Sequence, residues 1–190
     1  VMGMQNVGGL IGINTGKVSG GRDAADSYYK YQVYNNGVVN AGTWHDSDGD
    51  GIVDEGEFAV VQNGQNIGGL VGTNNGAITA AYNTGVVNGN GSTAVGGIAG
   101  TNTGTIDQVF STIFDASGKA GSVSGGSQVG GLVGANRGTL RNAYNTSVVP
   151  SKNGEFGTLV GMNSGTVEYA YTTADGNVFG ANNGKSSNVY

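Results

Sequence analysis

The chain has 190 residues, of which 39 are glycine, one is proline and none is cysteine. Only 11% are charged, the net charge is −5, and the eight basic residues are scattered, so the basic footprint that nucleic acid requires is missing. No run of 18 apolar residues offers a transmembrane helix in this segment, and the lack of cysteine removes thiol catalysis and thiolate metal sites.

From the N-terminus, Val7-Gly8-Gly9-Leu10-Ile11-Gly12 opens a signature that returns at Ile67–Gly72, Val95–Gly100, Val129–Gly134 and, degenerate, Phe156–Gly161. Asn-x-Gly follows each copy and recurs once more without the double glycine. It places anchors at Gly16, Gly76, Gly104, Gly138, Gly165 and Gly184, with Asn14, Asn74, Asn102, Asn136, Asn163 and Asn182 two positions earlier. An aromatic stands six residues after five of the anchors, at Tyr82, Phe110, Tyr144, Tyr171 and Tyr190; in the first copy an insertion delays it to Tyr34.

One such unit cannot bury its own apolar face and must stack on its neighbours. Valine and leucine alternate with glycine, and Val18, Ile78, Ile106, Leu140 and Val167 follow the anchors by two. The pattern predicts two short strands per unit, joined by a turn in which glycine supplies positive φ. Equivalent side chains then stack as an asparagine ladder and an aromatic ladder, both structural. The expected fold is all-β: one β-solenoid (β-helix) of about six short coils spanning residues 1–190, with almost no helix.

Anchor spacings of 60, 28, 34, 27 and 19 put about thirty extra residues in the first interval. They fall into insertions 19–31 and 40–63. The second contains Asp46-Ser47-Asp48-Gly49-Asp50-Gly51-Ile52-Val53-Asp54-Glu55-Gly56-Glu57, a match to D-x-D-x-D-G-x5-E. Of the six to eight oxygens that Ca²⁺ takes, the loop can give those of Asp46, Asp48, Asp50, the Ile52 carbonyl, Asp54 directly or through water, and Glu57 with both oxygens, with Gly51 at the sharp turn. Such a density of carboxylates asks for a divalent cation. The flanks read as strands, so the expected role is to pin the insertion rather than to open a helix pair.

The G-L-U-G run, seen as Gly9-Leu10-Ile11-Gly12, Gly69-Leu70-Val71-Gly72 and Gly131-Leu132-Val133-Gly134, resembles the GLUG-motif repeat family. That resemblance covers nearly the whole chain outside the insertion. It implies a secreted bacterial surface protein, of the filamentous-haemagglutinin-like adhesin type, or the repeat region of a surface metallopeptidase. The acidic loop alone is similar to the EF-hand-like loops of dockerins.

Catalysis is poorly supplied. His45 is the only histidine, beside Trp44 at the mouth of the acidic loop, and no H-E-x-x-H motif is present. Tyr28, Tyr29, Tyr31 and Trp44 are the candidate ligand-binding aromatics, suited to stacking on sugar rings. The column Ile13, Thr73, Thr101, Ala135, Met162 and Ala181 is not the flat threonine array of an ice-binding stack. The expected function is a non-catalytic structural or adhesive segment at the bacterial cell surface, with host or neighbouring-cell glycans or matrix as partners. Alternatives are a subunit that self-associates into extracellular filaments, and the metallopeptidase repeat region. With no signal-peptide pattern at Val1 and a ladder residue at Tyr190, a segment of a longer array is expected.

Overall fold

The computed structural model describes residues 1–22, 29–31, 33–44, 48–50, 58–60, 63–112, 122–150 and 155–190; at 21, 22, 29–31, 44 and 58–60 it describes the backbone. Four parallel sheets run the length of a solenoid of about six coils. The first sheet holds Gln5–Gly8, Gln65–Gly68, Thr93–Gly96, Ser127–Gly130 and Phe156–Gly157. The second holds Ile11–Asn14, Val71–Asn74, Ala99–Asn102, Val133–Asn136, Val160–Asn163 and Phe179–Asn182. The third holds Lys17–Ser19, Ala77–Asn83, Thr105–Ser111, Thr139–Asn145, Thr166–Thr172 and Lys185–Val189, with Val33–Asn35 completing its first coil. The fourth holds Met2–Gly3, Val39–Trp44, Val87–Asn88 and Val123–Ser124.

A full coil therefore has four strands where the sequence pattern predicts two. The signature itself is split: Ile67-Gly68 ends a strand of the first sheet, Gly69-Leu70 makes the corner, and Val71-Gly72 begins the next strand. Register is kept from coil to coil, with Ile67 on Val95, Val95 on Val129 and Val129 on Phe156. Parallel strands one coil apart place like side chains one above another, so the sequence repeat becomes columns.

Two apolar clusters form the interior. One fills the space between the second and third sheets with Leu70, Val71, Ile78, Ala81 and their counterparts in later coils. The other joins the first and fourth sheets through Val7, Ile67, Val95, Val129 and Phe156 against Val39, Ala41, Val87, Val123 and Val149. Ile67, Leu70, Ile78, Ile98, Leu132 and Leu140 have no exposed surface, and burial of each stabilises the stack by about 2 kcal/mol.

The predicted role of glycine is corrected by the backbone. Among the described residues, positive φ at glycine occurs at Gly49, Gly91 and Gly176, outside the repeated signature. The left-handed corners are taken by Asn6, Asn66, Ala94 and Gln128 in the first sheet, and by Ala80, Gln108, Asn142, Tyr169 and Asn188 in the third. The repeat needs glycine because backbones touch there. A Cβ on Gly72 would lie 2.3 Å from the carbonyl carbon of Asn6, and one on Gly104 would lie 2.0 Å from the carbonyl oxygen of Gly76.

Candidate functional site

Both expected ladders form, and they face opposite ways. In the inner one, Asn14 Nδ2 donates to Asn74 Oδ1 at 2.7 Å. The same bond continues from Asn74 to Asn102 at 2.8 Å, Asn102 to Asn136 at 2.8 Å, Asn136 to Asn163 at 2.9 Å and Asn163 to Asn182 at 2.8 Å. All five bonds point the same way along the axis. Asn74, Asn102, Asn136 and Asn163 are fully buried, and their amides also reach turn carbonyls such as Gly104 and Thr139. A polar column inside an apolar stack is tolerated because its groups are paired.

The aromatic column lies outside. Tyr34, Tyr82, Phe110, Tyr144 and Tyr171 stack in sequence with centroids 5.2, 4.7, 4.9 and 5.3 Å apart and planes within 11°. Tyr34 and Tyr171, at the two ends, are about half exposed. Tyr190 stands at the next position, 75% exposed, and no ring contact joins it to the stack among the described residues. Partial burial, and then the neighbouring Tyr171, push the Tyr144 hydroxyl above its ordinary pKa. Because ring faces are spent on one another, the ladder offers water mainly ring edges and hydroxyls. It is a poor platform for stacking sugars, which leaves the other aromatics as the candidates.

Those others lie in the first coil. Ser19 pairs in register with Thr79, and Val33 with Ala81. Between these two pairings the first interval has residues 20–32 in sequence where the next coil has the one residue Ala80, itself a left-handed corner. Within them Gly21–Arg22 pairs antiparallel with Tyr29–Tyr31, which sets the backbones of Tyr29 and Tyr31 on a short hairpin; Tyr28 lies outside the described residues. Tyr34, close to them in sequence, belongs to the ladder instead.

The acidic loop is bracketed by a second hairpin. Val39 and Asn40 hold the fourth sheet's register on Val87 and Asn88, and the same strand runs on to pair Gly42, Thr43 and Trp44 antiparallel with Val60, Ala59 and Phe58. The backbone of Trp44 therefore sits at the base of the loop. Asp48 and Asp50 are exposed, Gly49 adopts φ 80°, and the Asp50 amide donates to Asp48 Oδ1 at 3.1 Å. Asp46, Ile52, Asp54 and Glu57 lie outside the described residues, as does His45. Among the described residues no three metal-binding side chains gather. The donor set of residues 46–57, all hard oxygen, fits calcium in kind and number.

A polar groove between the first and second sheets escapes sequence reasoning. It encloses about 370 Å³ and is lined by residues including Gln65, Asn66, Thr73, Thr101, Gln128 and Arg137. Asn66 Nδ2 donates to Asn6 Oδ1 at 3.0 Å, Thr73 Oγ1 to the same oxygen at 2.7 Å, and Thr101 Oγ1 to Asn66 Oδ1 at 2.6 Å. The signal is present, an asparagine just before Val7 and Ile67 in the first two copies, but later copies carry Ala94, Gln128 and Glu155 there. On the third sheet, Arg141 pairs with Asp107 at 3.0 Å and Asn142 donates to the same carboxylate at 2.8 Å. Arg141 is about half exposed, which limits that pair to a fraction of a kcal/mol.

Compared with family models, with curated proteins and with solved structures, the chain matches none.

Proposed function

We propose that this chain is a non-catalytic, structural and adhesive repeat segment of a secreted bacterial surface protein, a GLUG-type rod with a calcium-pinned hairpin beside its first coil. The observation that carries the reading is the division of labour along the chain. Later coils repeat one register and one asparagine ladder, while two hairpins interrupt the first coil at two different corners. A stack of this kind is a spacer by construction, since length adds coil by coil along one axis. Recognition then falls to inserted segments held on a rigid support, here the tyrosine hairpin and the acidic hairpin.

In this reading Asp46, Asp48, Asp50, the Ile52 carbonyl, Asp54 and Glu57 hold Ca²⁺, which neutralises the loop and fixes the hairpin that carries Trp44. Tyr28, Tyr29, Tyr31 and Trp44 supply ring faces to host or neighbouring-cell glycans or matrix. Two measurements test it. Adding EDTA should lower the melting temperature and open residues 46–57 to protease, with calcium restoring both; identical melting and cleavage with and without EDTA would remove the ion. On a glycan and matrix array, binding should disappear in a Tyr28→Ala/Tyr29→Ala/Tyr31→Ala variant. A blank array for the wild-type chain would sink the adhesive half of the proposal and leave a spacer.

A further inference from the structure

We propose that the polar groove between the first and second sheets binds a carboxylated sugar, a uronic acid unit of a linear saccharide, with Arg137 holding the carboxylate. The groove is built by the three coils after the hairpins and does not depend on either hairpin binding anything.

Two columns shape it. On the first sheet Asn6, Asn66, Ala94 and Gln128 follow one another, and on the second sheet Thr73, Thr101, Ala135 and Met162 do so. Both columns are filled at either side of the groove. Asn66 and Thr73 donate to Asn6 Oδ1, and Gln128 Nε2 is directed to Met162 Sδ of the following coil at 3.4 Å. Between these groups each column shrinks to a methyl, at Ala94 and at Ala135, which are 4% and 1% exposed. The 370 Å³ groove has these two methyls in its lining, and its volume is of the order found in small-ligand sites. It crosses three coils, a length of about 10 Å at two strand spacings, which is room for a disaccharide.

The walls hold unspent hydrogen-bonding capacity. Thr101 is 8% exposed; its hydroxyl donates to Asn66 Oδ1 at 2.6 Å and, among the described residues, accepts nothing. The Asn66 amide donates once, to Asn6, and has a second hydrogen to give. Among the described residues the Gln65 amide and Gln128 Oε1 have no partner. Hydroxyls and amides around a methyl floor suit a sugar, which presents hydroxyls at its rim and C–H groups on its ring faces. An extended peptide lacks such a fit. The backbone groups of both sheets are spent on neighbouring coils, so no strand can be added there.

Charge selects among sugars. Arg137 directly follows the ladder residue Asn136, a position that holds the uncharged Thr15, Asn75, Thr103, Ser164 and Asn183 in the other coils. It is exposed and lines the groove, and its guanidinium has no ion pair or hydrogen bond among the described residues, whereas Arg141 is paired with Asp107. Among the described residues the lining contains no carboxylate and no aromatic ring. A planar carboxylate meets a guanidinium through two parallel N–H···O bonds, so a uronic acid gains at Arg137 what a neutral sugar does not. Glu155 succeeds Gln128 in the first column and opposes an anion on the coil beyond.

An NMR titration of the whole nitrogen-15-labelled chain, at low salt and a fixed calcium concentration, tests the site with four probes: digalacturonic acid, its dimethyl ester, acetate and inorganic phosphate. Digalacturonate should move the backbone amide signals of Asn66, Ala94, Gln128, Ala135 and Arg137. The ester keeps every ring hydroxyl but loses the charge, and should bind about ten-fold more weakly. Acetate and phosphate at the same concentrations should leave these signals in place. Arg137→Gln should bind the acid about ten-fold more weakly and no longer tell it from the ester. Ala135→Met introduces a residue that the same column already carries at Met162; it fills the floor without removing a polar group and should abolish the shifts. Tyr29→Ala/Tyr31→Ala should leave them unchanged, which separates this site from the tyrosine hairpin. Unmoved groove signals in the wild type overturn the proposal. So do equal affinities for acid and ester, phosphate or acetate moving the same signals as strongly, or full binding by Ala135→Met.

Discussion

The asparagine column and the aromatic column each place one residue in every coil, at fixed offsets from the same glycine outside the interrupted first coil. One is sealed between sheets and the other faces water. The inner column is held by five directional hydrogen bonds in a dry interior, where an unpaired amide is costly. The outer column is held by ring stacking at 4.7–5.3 Å beside solvent, where a lost partner is replaced by water. Equal periodicity therefore carries unequal energy, and the difference is set by which side of a strand each residue occupies.

The largest effect that sharpens this contrast comes from the glycine on which both columns are aligned. In Gly104→Ala the new methyl would lie 2.0 Å from the Gly76 carbonyl oxygen, against the backbone of Asn75 and Gly76 with no side chain to move away. The expected loss is more than about 3 kcal/mol, read as a lower urea midpoint or as failure to fold. Asn102→Ala comes next. It cuts the inner ladder in two places and leaves the Asn74 amide and the Asn136 oxygen short of a partner, at a cost of about 2 to 3 kcal/mol. Phe110→Ala removes two stacks from the outer ladder and should cost about 1 to 2 kcal/mol. Phe110→Tyr should be nearly neutral, because every other ring in that stack is a tyrosine with its edge toward water. If Phe110→Ala proves as damaging as Asn102→Ala, the inner and outer columns are energetically alike and the contrast fails.

Much of this architecture is legible in the sequence, for a physical reason. A parallel stack converts a linear repeat into columns, so the anchors, Asn14 through Asn182 and Tyr34 through Tyr171 align without knowledge of the fold. What stayed hidden has no shared chemistry along its column. Asn6, Asn66, Ala94 and Gln128 all adopt left-handed backbone, yet nothing but position unites them. Glycine misleads in the opposite direction: its abundance suggests positive φ, while its actual task at Gly72 and Gly104 is to let two backbones touch. The split of Val-Gly-Gly-Leu-Val-Gly into two strands, with its corner at Gly69-Leu70, is likewise visible only in the coil. For the candidate site, the sequence located the acidic motif and the tyrosine cluster, and the structure adds the hairpins that bracket them and the assignment of Tyr34 to the ladder.

The smallest expected effect probes the outer column by pH. The Tyr144 hydroxyl has a folded-state pKa above its ordinary 10.0, from partial burial first and from Tyr171 second. Below pH 10 the ring is protonated in both the folded and the unfolded chain, so its contribution to stability is constant. Above that, the unfolded chain releases the proton before the folded one does, and stability is lost as pH rises through the folded value. A Tyr144→Phe variant keeps the stack but has no proton to lose, so its urea midpoint should fall less steeply than the wild type's between pH 10 and 11.5. The inner asparagines do not titrate, and Asn102→Ala should shift the whole pH profile downward without changing its slope. Parallel alkaline profiles for the wild type and Tyr144→Phe would mean that the hydroxyl is as well hydrated in the folded chain as in the unfolded one. The outer ladder would then be a surface decoration with no dry side.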